Sequence, residues 1–308
     1  MSLLIVGTVA FDELITPFGE SGKIIGGSAT YASFSASNFL DEVNIVSVVG
    51  EDFPEKDLEN FRAKGITTDG INVVSGGKTF FWKGKYHNDM NTRDTLDTQL
   101  NVLADFNPEV PQAYRNSDFL MLGNLTPAVQ MQVLDRMENR PKLVILDTMN
   151  FWMDIAMDEL KAVLKKIDVL TINDEEVRQL SGEYSLVKAA KAIFEMGPKY
   201  LIIKKGEHGA LLFDKNEVFF APALPLEEVF DPTGAGDTFA GGFIGYLAHS
   251  KDISFEGMKR AVIYGSALAS FCVEKFGTER ISEINRKEMH ERVQQFIGLT
   301  QFEIGIGN

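Results

Sequence analysis

From Ser117 onward the sequence alternates short apolar runs with amphipathic stretches, and this alternation constrains the fold more than any other feature. Residues 119–122, 143–146, 169–172 and 199–204 read as buried strands, and residues 127–137 and 158–166 as helices between them. Strand followed by helix, repeated, predicts an α/β fold: a central, mainly parallel sheet covered by helices on both faces. The start of the chain has the same character, with strands over 3–6 and 43–49 and helices over 28–39 and 54–64. Residues 211–213 and 218–220 read as a hairpin, and 238–248, 255–273 and 283–296 as closing helices. Only residues from 67 to about 100 break the pattern. A Gly76-Gly77 turn and the run Thr79-Phe80-Phe81-Trp82-Lys83-Gly84-Lys85-Tyr86 predict two or three extended strands, a small β insertion joined by an earlier strand near 13–25. The whole of 1–308 is read as one domain.

Composition narrows the partners. A formal net charge of −14 argues against nucleic acid or an anionic membrane. The longest apolar run, 261–273, is too short to span a bilayer. Cys272 is the only cysteine, so no internal disulfide forms and a cytoplasmic location fits. His87, His208, His249 and His290 lack the spacing of metal ligands, and no zinc site is expected.

The chemistry concentrates in Asp231-Pro232-Thr233-Gly234-Ala235-Gly236-Asp237, just ahead of an apolar helical pattern. Gly234 and Gly236 allow a tight turn whose N–H groups open a helix and attract an anion. A carboxylate beside an anion hole is a poor choice for phosphate binding alone, because like charges repel. It makes sense if Asp237 takes a proton from a hydroxyl that attacks phosphorus, while the amides hold the transferring group. Phe239 stands where a dinucleotide fingerprint needs its third small residue, which disfavours a dehydrogenase.

This heptad closely resembles the C-terminal signature of the ribokinase-like (PfkB) carbohydrate and nucleoside kinases, and the resemblance covers nearly the whole chain. It implies a ribokinase-like three-layer αβα fold with a small β-sheet lid. It also implies ATP-dependent phosphorylation of a primary hydroxyl on a sugar or on the ribose of a nucleoside. Asp237 would be the base, and Gly234, Ala235 and Gly236 the anion hole. Asp12, the Gly26-Gly27 pair, Thr30 and Asn150 fall where substrate binds. Asn173, Lys204, Gly206, Gly209, Thr233, Gly236 and Ser266 fall around the nucleotide. Glu176, in an Asn-x-x-Glu pattern with Asn173, would organise Mg2+ from its outer shell, and Asp231 is the candidate for a monovalent cation such as K+. Family members often pair as homodimers through the lid. A regulatory protein that binds a sugar or nucleotide on the same fold is the alternative reading. The aromatic run 80–86 is open between contact with a substrate ring, lid packing and a dimer surface.

Overall fold

The computed structural model describes residues 1–301. Its strands are β1 (Leu3–Val6), β2 (Ala10–Thr16), β3 (Gly19–Gly26), β4 (Val43–Gly50), β5 (Ile66–Val74), β6 (Phe81–Tyr86), β7 (Arg93–Gln99), β8 (Phe119–Leu122), β9 (Leu143–Asp147), β10 (Val169–Asn173), β11 (Tyr200–Lys204), β12 (Ala210–Phe213) and β13 (Val218–Ala221). Nine of them form one sheet in the order β13-β12-β11-β10-β9-β8-β1-β4-β5. From β11 through β5 every pairing is parallel, and the β12–β13 hairpin adds an antiparallel edge.

The strand sequences explain why both faces are covered. Side chains alternate across a strand, yet β1, β8 and β9 are buried at every position. Leu4, Val6, Leu120, Leu122, Val144, Leu146, Leu170 and Ile172 pack into one apolar layer. Leu3, Ile5, Phe119, Met121, Leu143, Ile145 and Val169 pack into the other, together with helices Ser28–Ala36, Ala235–Ser250 and Phe255–Cys272. Close approach of these three helices accounts for their small residues. A side chain on Gly241 or Gly245 would collide with Ala32 or Ala36, and one on Gly265 would stand 2.7 Å from the Phe239 carbonyl. The small-residue stripe near Ser266 is therefore a helix-packing feature first.

Chain order reverses around β1, which pairs with β4 on one side and β8 on the other. At such a switch point the loops leaving the carboxyl ends part and open a crevice. The second sheet, β3-β2-β6-β7, stands over this end of the molecule. One boundary differs from expectation. Ile66–Val74 pairs along β4 as the edge of the large sheet, so the insertion begins at β6 rather than near 67. The preference of 67–74 for extended backbone was legible; which sheet it joins depends on the partner strand.

Two helices also differ from the sequence reading. Helix Ala235–Ser250 begins inside the glycine loop rather than at 238. The closing helix is divided into Glu279–Glu283 and Arg286–Thr300, where Asn285 and Glu288 make a reciprocal capping box that starts a new helix.

Candidate active site

Three loops and one face of the small sheet converge beyond the strand ends. The loop before helix Ala235–Ser250 is fixed by Asp231, whose buried carboxylate accepts the Thr233 amide at 2.8 Å and the Gly277 amide at 2.9 Å. Asp231 thereby ties the glycine loop to the 274–278 loop. Gly234, the N-cap, has φ 72° and its backbone lies against the Tyr31 ring, so a side chain there would be both strained and obstructed. Ala235 donates its amide to the Pro232 carbonyl at 3.2 Å. That leaves the Gly236 and Asp237 amides as the helix-terminal donors facing the cleft.

Asp237 sits in the first turn, partly open to the cleft. Burial pushes its pKa up to about 7, the Asp147 charge adds to this, and Lys204 and Arg93 pull the other way. Lys204, at the end of β11, brings its ammonium 3.0 Å from where a side chain on Gly236 would begin. Asp147, at the end of β9, accepts from that ammonium through both oxygens at 2.9 and 3.1 Å. Burial alone would lower the Lys204 pKa. Asp147, Glu176 and Asp237 outweigh that and raise it, so the lysine stays charged beside the glycine loop.

Glu176 and Asn173 open helix Asp174–Ser181 as a capping box. Asn173 Oδ1 accepts the Glu175 and Glu176 amides, and Glu176 Oε2 accepts the Asn173 amide at 3.0 Å. The cap commits only one Glu176 oxygen. Burial raises the Glu176 pKa, and Lys204 opposes it.

Asp12 belongs to β2 and is buried. Burial pushes its carboxyl up to about 7, helped by Asp231 and Asp237, against the Gly27 amide. Its carboxylate rests on Gly26, where any side chain would displace it. Two further contacts join the small sheet to the large domain's loops beside the site. Thr233 donates its hydroxyl to the Tyr86 phenol at 3.0 Å. Asn91, in the β6–β7 turn held by Asp89, lies 2.9 Å from the position a side chain on Gly206 would take. Gly206 and Gly209 bracket a one-turn 3-10 helix after β11.

Asp12, Gly26, Gly27, Lys204, Asp231, Thr233, Gly234, Ala235, Gly236 and Asp237 thus come together, with Asn173, Glu176, Gly206 and Gly209 along one side. Other expected residues stand differently. Thr30 is fully buried with its hydroxyl unpartnered. Asn150 is exposed at the first position of its helix and accepts the Phe151 amide. Ser266 is half-buried on the packed helix. Sequence reasoning missed Asp147 as the partner of Lys204. Its signal was a charged residue ending an otherwise apolar strand, as Lys204 does on β11. Arg93 and Tyr86 were also missed as site neighbours. Only the β6–β7 pairing brings the Arg93 charge to bear on Asp237.

Among the described residues no cluster of three or more His, Cys, Asp or Glu is arranged to hold a metal ion. No helix among them is long and apolar enough to cross a membrane.

The family profile described as "pfkB family carbohydrate kinase" matches residues 6–285. The chain belongs to the pfkB family and is a kinase on a ribokinase-like fold. It is 29% identical over 249 residues to the cytidine kinase of Thermococcus kodakarensis, covering 79% of this chain and 87% of that protein. It is 28% identical over 301 residues to the ribokinase of Haemophilus influenzae, covering 90% and 94% respectively. Among solved structures, a proposed ribokinase II of E. coli in complex with ATP and Mg2+ superposes with a TM-score of 0.79 at 20% identity, covering 96% of this chain and 99% of that one.

Proposed function

We propose that this kinase moves the γ-phosphoryl group of ATP to a primary hydroxyl of a sugar or of the ribose of a nucleoside. The observation that carries the reading is the grouping at one helix N-terminus: a carboxylate at Asp237, free amides at Gly236 and Asp237, and the Lys204 ammonium beside them. Asp12 grips neighbouring hydroxyls of the acceptor, and Gly26 and Gly27 let it lie against the backbone. Asp237 takes the proton of the attacking hydroxyl. The amides and Lys204 hold the charge on the transferring oxygens, and a preorganised donor set of this kind stabilises charge as it develops. The nucleotide lies along Asn173, Gly206, Gly209 and Thr233.

Mg2+ would enter with the phosphates of ATP, since it keeps several waters and is held through one or two carboxylates plus phosphates. Glu176, with one oxygen outside its cap, would hold that ion through water, and the ion would neutralise phosphate charge. Asp231 and the 274–278 loop are the elements that would hold a monovalent cation.

Product detection tests the reading. The protein is incubated with Mg·ATP and a panel of pentoses, hexoses and nucleosides, and products are identified by mass. One acceptor should gain a single phosphoryl group on its primary hydroxyl. ATP binding with no acceptor phosphorylated would overturn it in favour of a regulatory binder.

A further inference from the structure

The large sheet ends on one side at β5, and this edge carries little protection. Its nine residues include no proline, lysine or arginine, the residues that commonly blunt an exposed strand. The chain returning from β7 passes alongside as residues 107–112 but does not pair with it. Pro108 and Pro111 have no N–H to give, and no backbone group of that segment bonds to residues 69–73. A groove of about 560 Å3 is left between the two.

The two faces of this edge differ. From Gly70 onward β5 pairs regularly with β4, so its side chains alternate. Ile71 packs with Leu58 and Phe61 of helix Glu55–Ala63, and Val73, on the same face, is left half exposed. Gly70 turns to the other face, where a side chain would meet the Tyr114 ring, and Asn72 follows it. Arg115, next to Tyr114, and Arg136, on the helix that buries Val133, border the groove from that side. Their partners among the described residues are all neutral. Arg115 donates to the Val110 carbonyl at 3.0 Å, and Arg136 to Asn107 Oδ1 at 2.7 Å and Gln132 Oε1 at 3.3 Å. In a chain of formal net charge −14, two half-buried guanidiniums without a carboxylate make this side a receiver for one. Asp69 and Glu109 also border the groove, both exposed, so it suits a single acidic group and repels a polyanion.

We propose that β5 docks an extended segment of a partner protein as a tenth strand, with one acidic side chain held by Arg115 and Arg136. Residues 69–73 offer about 16 Å of strand whose outward backbone groups are free to pair. Side chains of the incoming strand alternate, so an apolar residue beside the acidic one covers Val73. A small anion would use the arginines and leave the strand edge unpaired. The place also matters. β5 leads into the small sheet and residues 107–112 follow the return from it, so a docked strand lies across both connections.

The probes are N-acetylated, C-amidated hexapeptides of alternating valine and serine, with glutamate, glutamine or lysine in place of a central serine. Binding to the full chain is measured by calorimetry and located by hydrogen–deuterium exchange. The glutamate peptide should bind and slow exchange at residues 69–73. The glutamine and lysine peptides should bind at least about tenfold more weakly, the worth of one charge-assisted hydrogen bond. Arg115→Gln and Arg136→Gln should each bring the glutamate peptide down to the level of the glutamine one, with unchanged melting temperatures. N-methylation of alternate peptide amides should abolish binding to the unaltered protein, a control that needs no variant to fold. Failure of every peptide to bind would overturn the proposal, and so would protection confined to β7 or β13. Succinate or inorganic phosphate binding as tightly as the glutamate peptide, with exchange at 69–73 unchanged, would replace strand addition by a small-anion site.

Discussion

Thr233 and Tyr86 lie 147 positions apart and share a 3.0 Å hydrogen bond. It joins a strand of the small sheet to the loop that presents Asp237, so the position of that sheet and the shape of the glycine loop are set together. Tyr86→Phe removes the acceptor and little else. A neutral hydrogen bond contributes about 0.5–1.5 kcal/mol. Steady-state kinetics should therefore show kcat/KM lower by roughly 2- to 10-fold, converting at 1.4 kcal/mol per decade, with the melting temperature nearly unchanged. An unaltered kcat/KM would mean that the bond serves packing alone.

Asp237→Asn keeps the volume and first-turn position but cannot take the proton. A positioned base is worth about 10²–10⁴-fold, so kcat should fall by that range while the KM for the acceptor holds. Single-turnover measurements separate this from slow product release. Near wild-type turnover would remove Asp237 from the mechanism.

Lys204 and Asp147 depend on one another. Lys204→Met strands the buried Asp147 carboxylate, and breaking a buried pair from one side costs about 3–5 kcal/mol. Adding Asp147→Asn should recover much of that stability in thermal melts. It should not recover phosphorylation, because the positive charge beside Gly236 is still missing. Restored activity in the double variant would make the pair purely structural.

Both Asp12 and Asp237 carry pKa values raised to about 7 in the free protein, chiefly by burial. As a base, Asp237 must be ionised, so kcat/KM should rise with pH up to about 7 and level off above it. Stability runs the other way. The unfolded chain releases these protons near pH 4, while the folded protein keeps them to about 7. Between those values the folded state binds more protons, and stability falls as pH rises. Melting temperatures from pH 5 to 8 should decline in the wild type and decline less in Asp12→Asn. Equal slopes would show that Asp12 ionises normally.

Gly26→Ala places a methyl group where the Asp12 carboxylate rests. Expelling that carboxylate should raise the acceptor KM by at least about tenfold, the worth of one charge-assisted hydrogen bond, with the KM for ATP unaffected. Equal rises in both would point to a general distortion of the loop.

The large sheet was legible because β1, β8, β9 and β10 are apolar at nearly every position, a pattern that only a strand covered on both faces sustains. Asp237, Gly234 and Gly236 were legible because their chemistry is contiguous. The pairing of Lys204 with Asp147 was not, since each is an isolated charge at a strand end and only the β9-β10-β11 order brings them side by side. The surroundings of Arg93 and Tyr86 were obscured for a related reason. Their roles depend on which face of a four-stranded sheet each residue occupies, and that is fixed by pairing with β2, some seventy residues earlier in the chain. Ile66–Val74 went to the wrong sheet in the sequence reading because extended propensity does not specify a partner.

Asp12 is built into the small sheet rather than into the large one that carries the phosphate-handling loops. On the proposed reading the acceptor's handhold and its roof are a single part. If that part swings away, the hydroxyl grip, the Tyr86 bond and the Asn91 contact at Gly206 are all lost in one movement. An opened protein would retain Asp237 and its amides but nothing to hold an acceptor in line with them. On the proposed reading the arrangement would work as an interlock, leaving ATP alone before an incomplete centre until an acceptor is held.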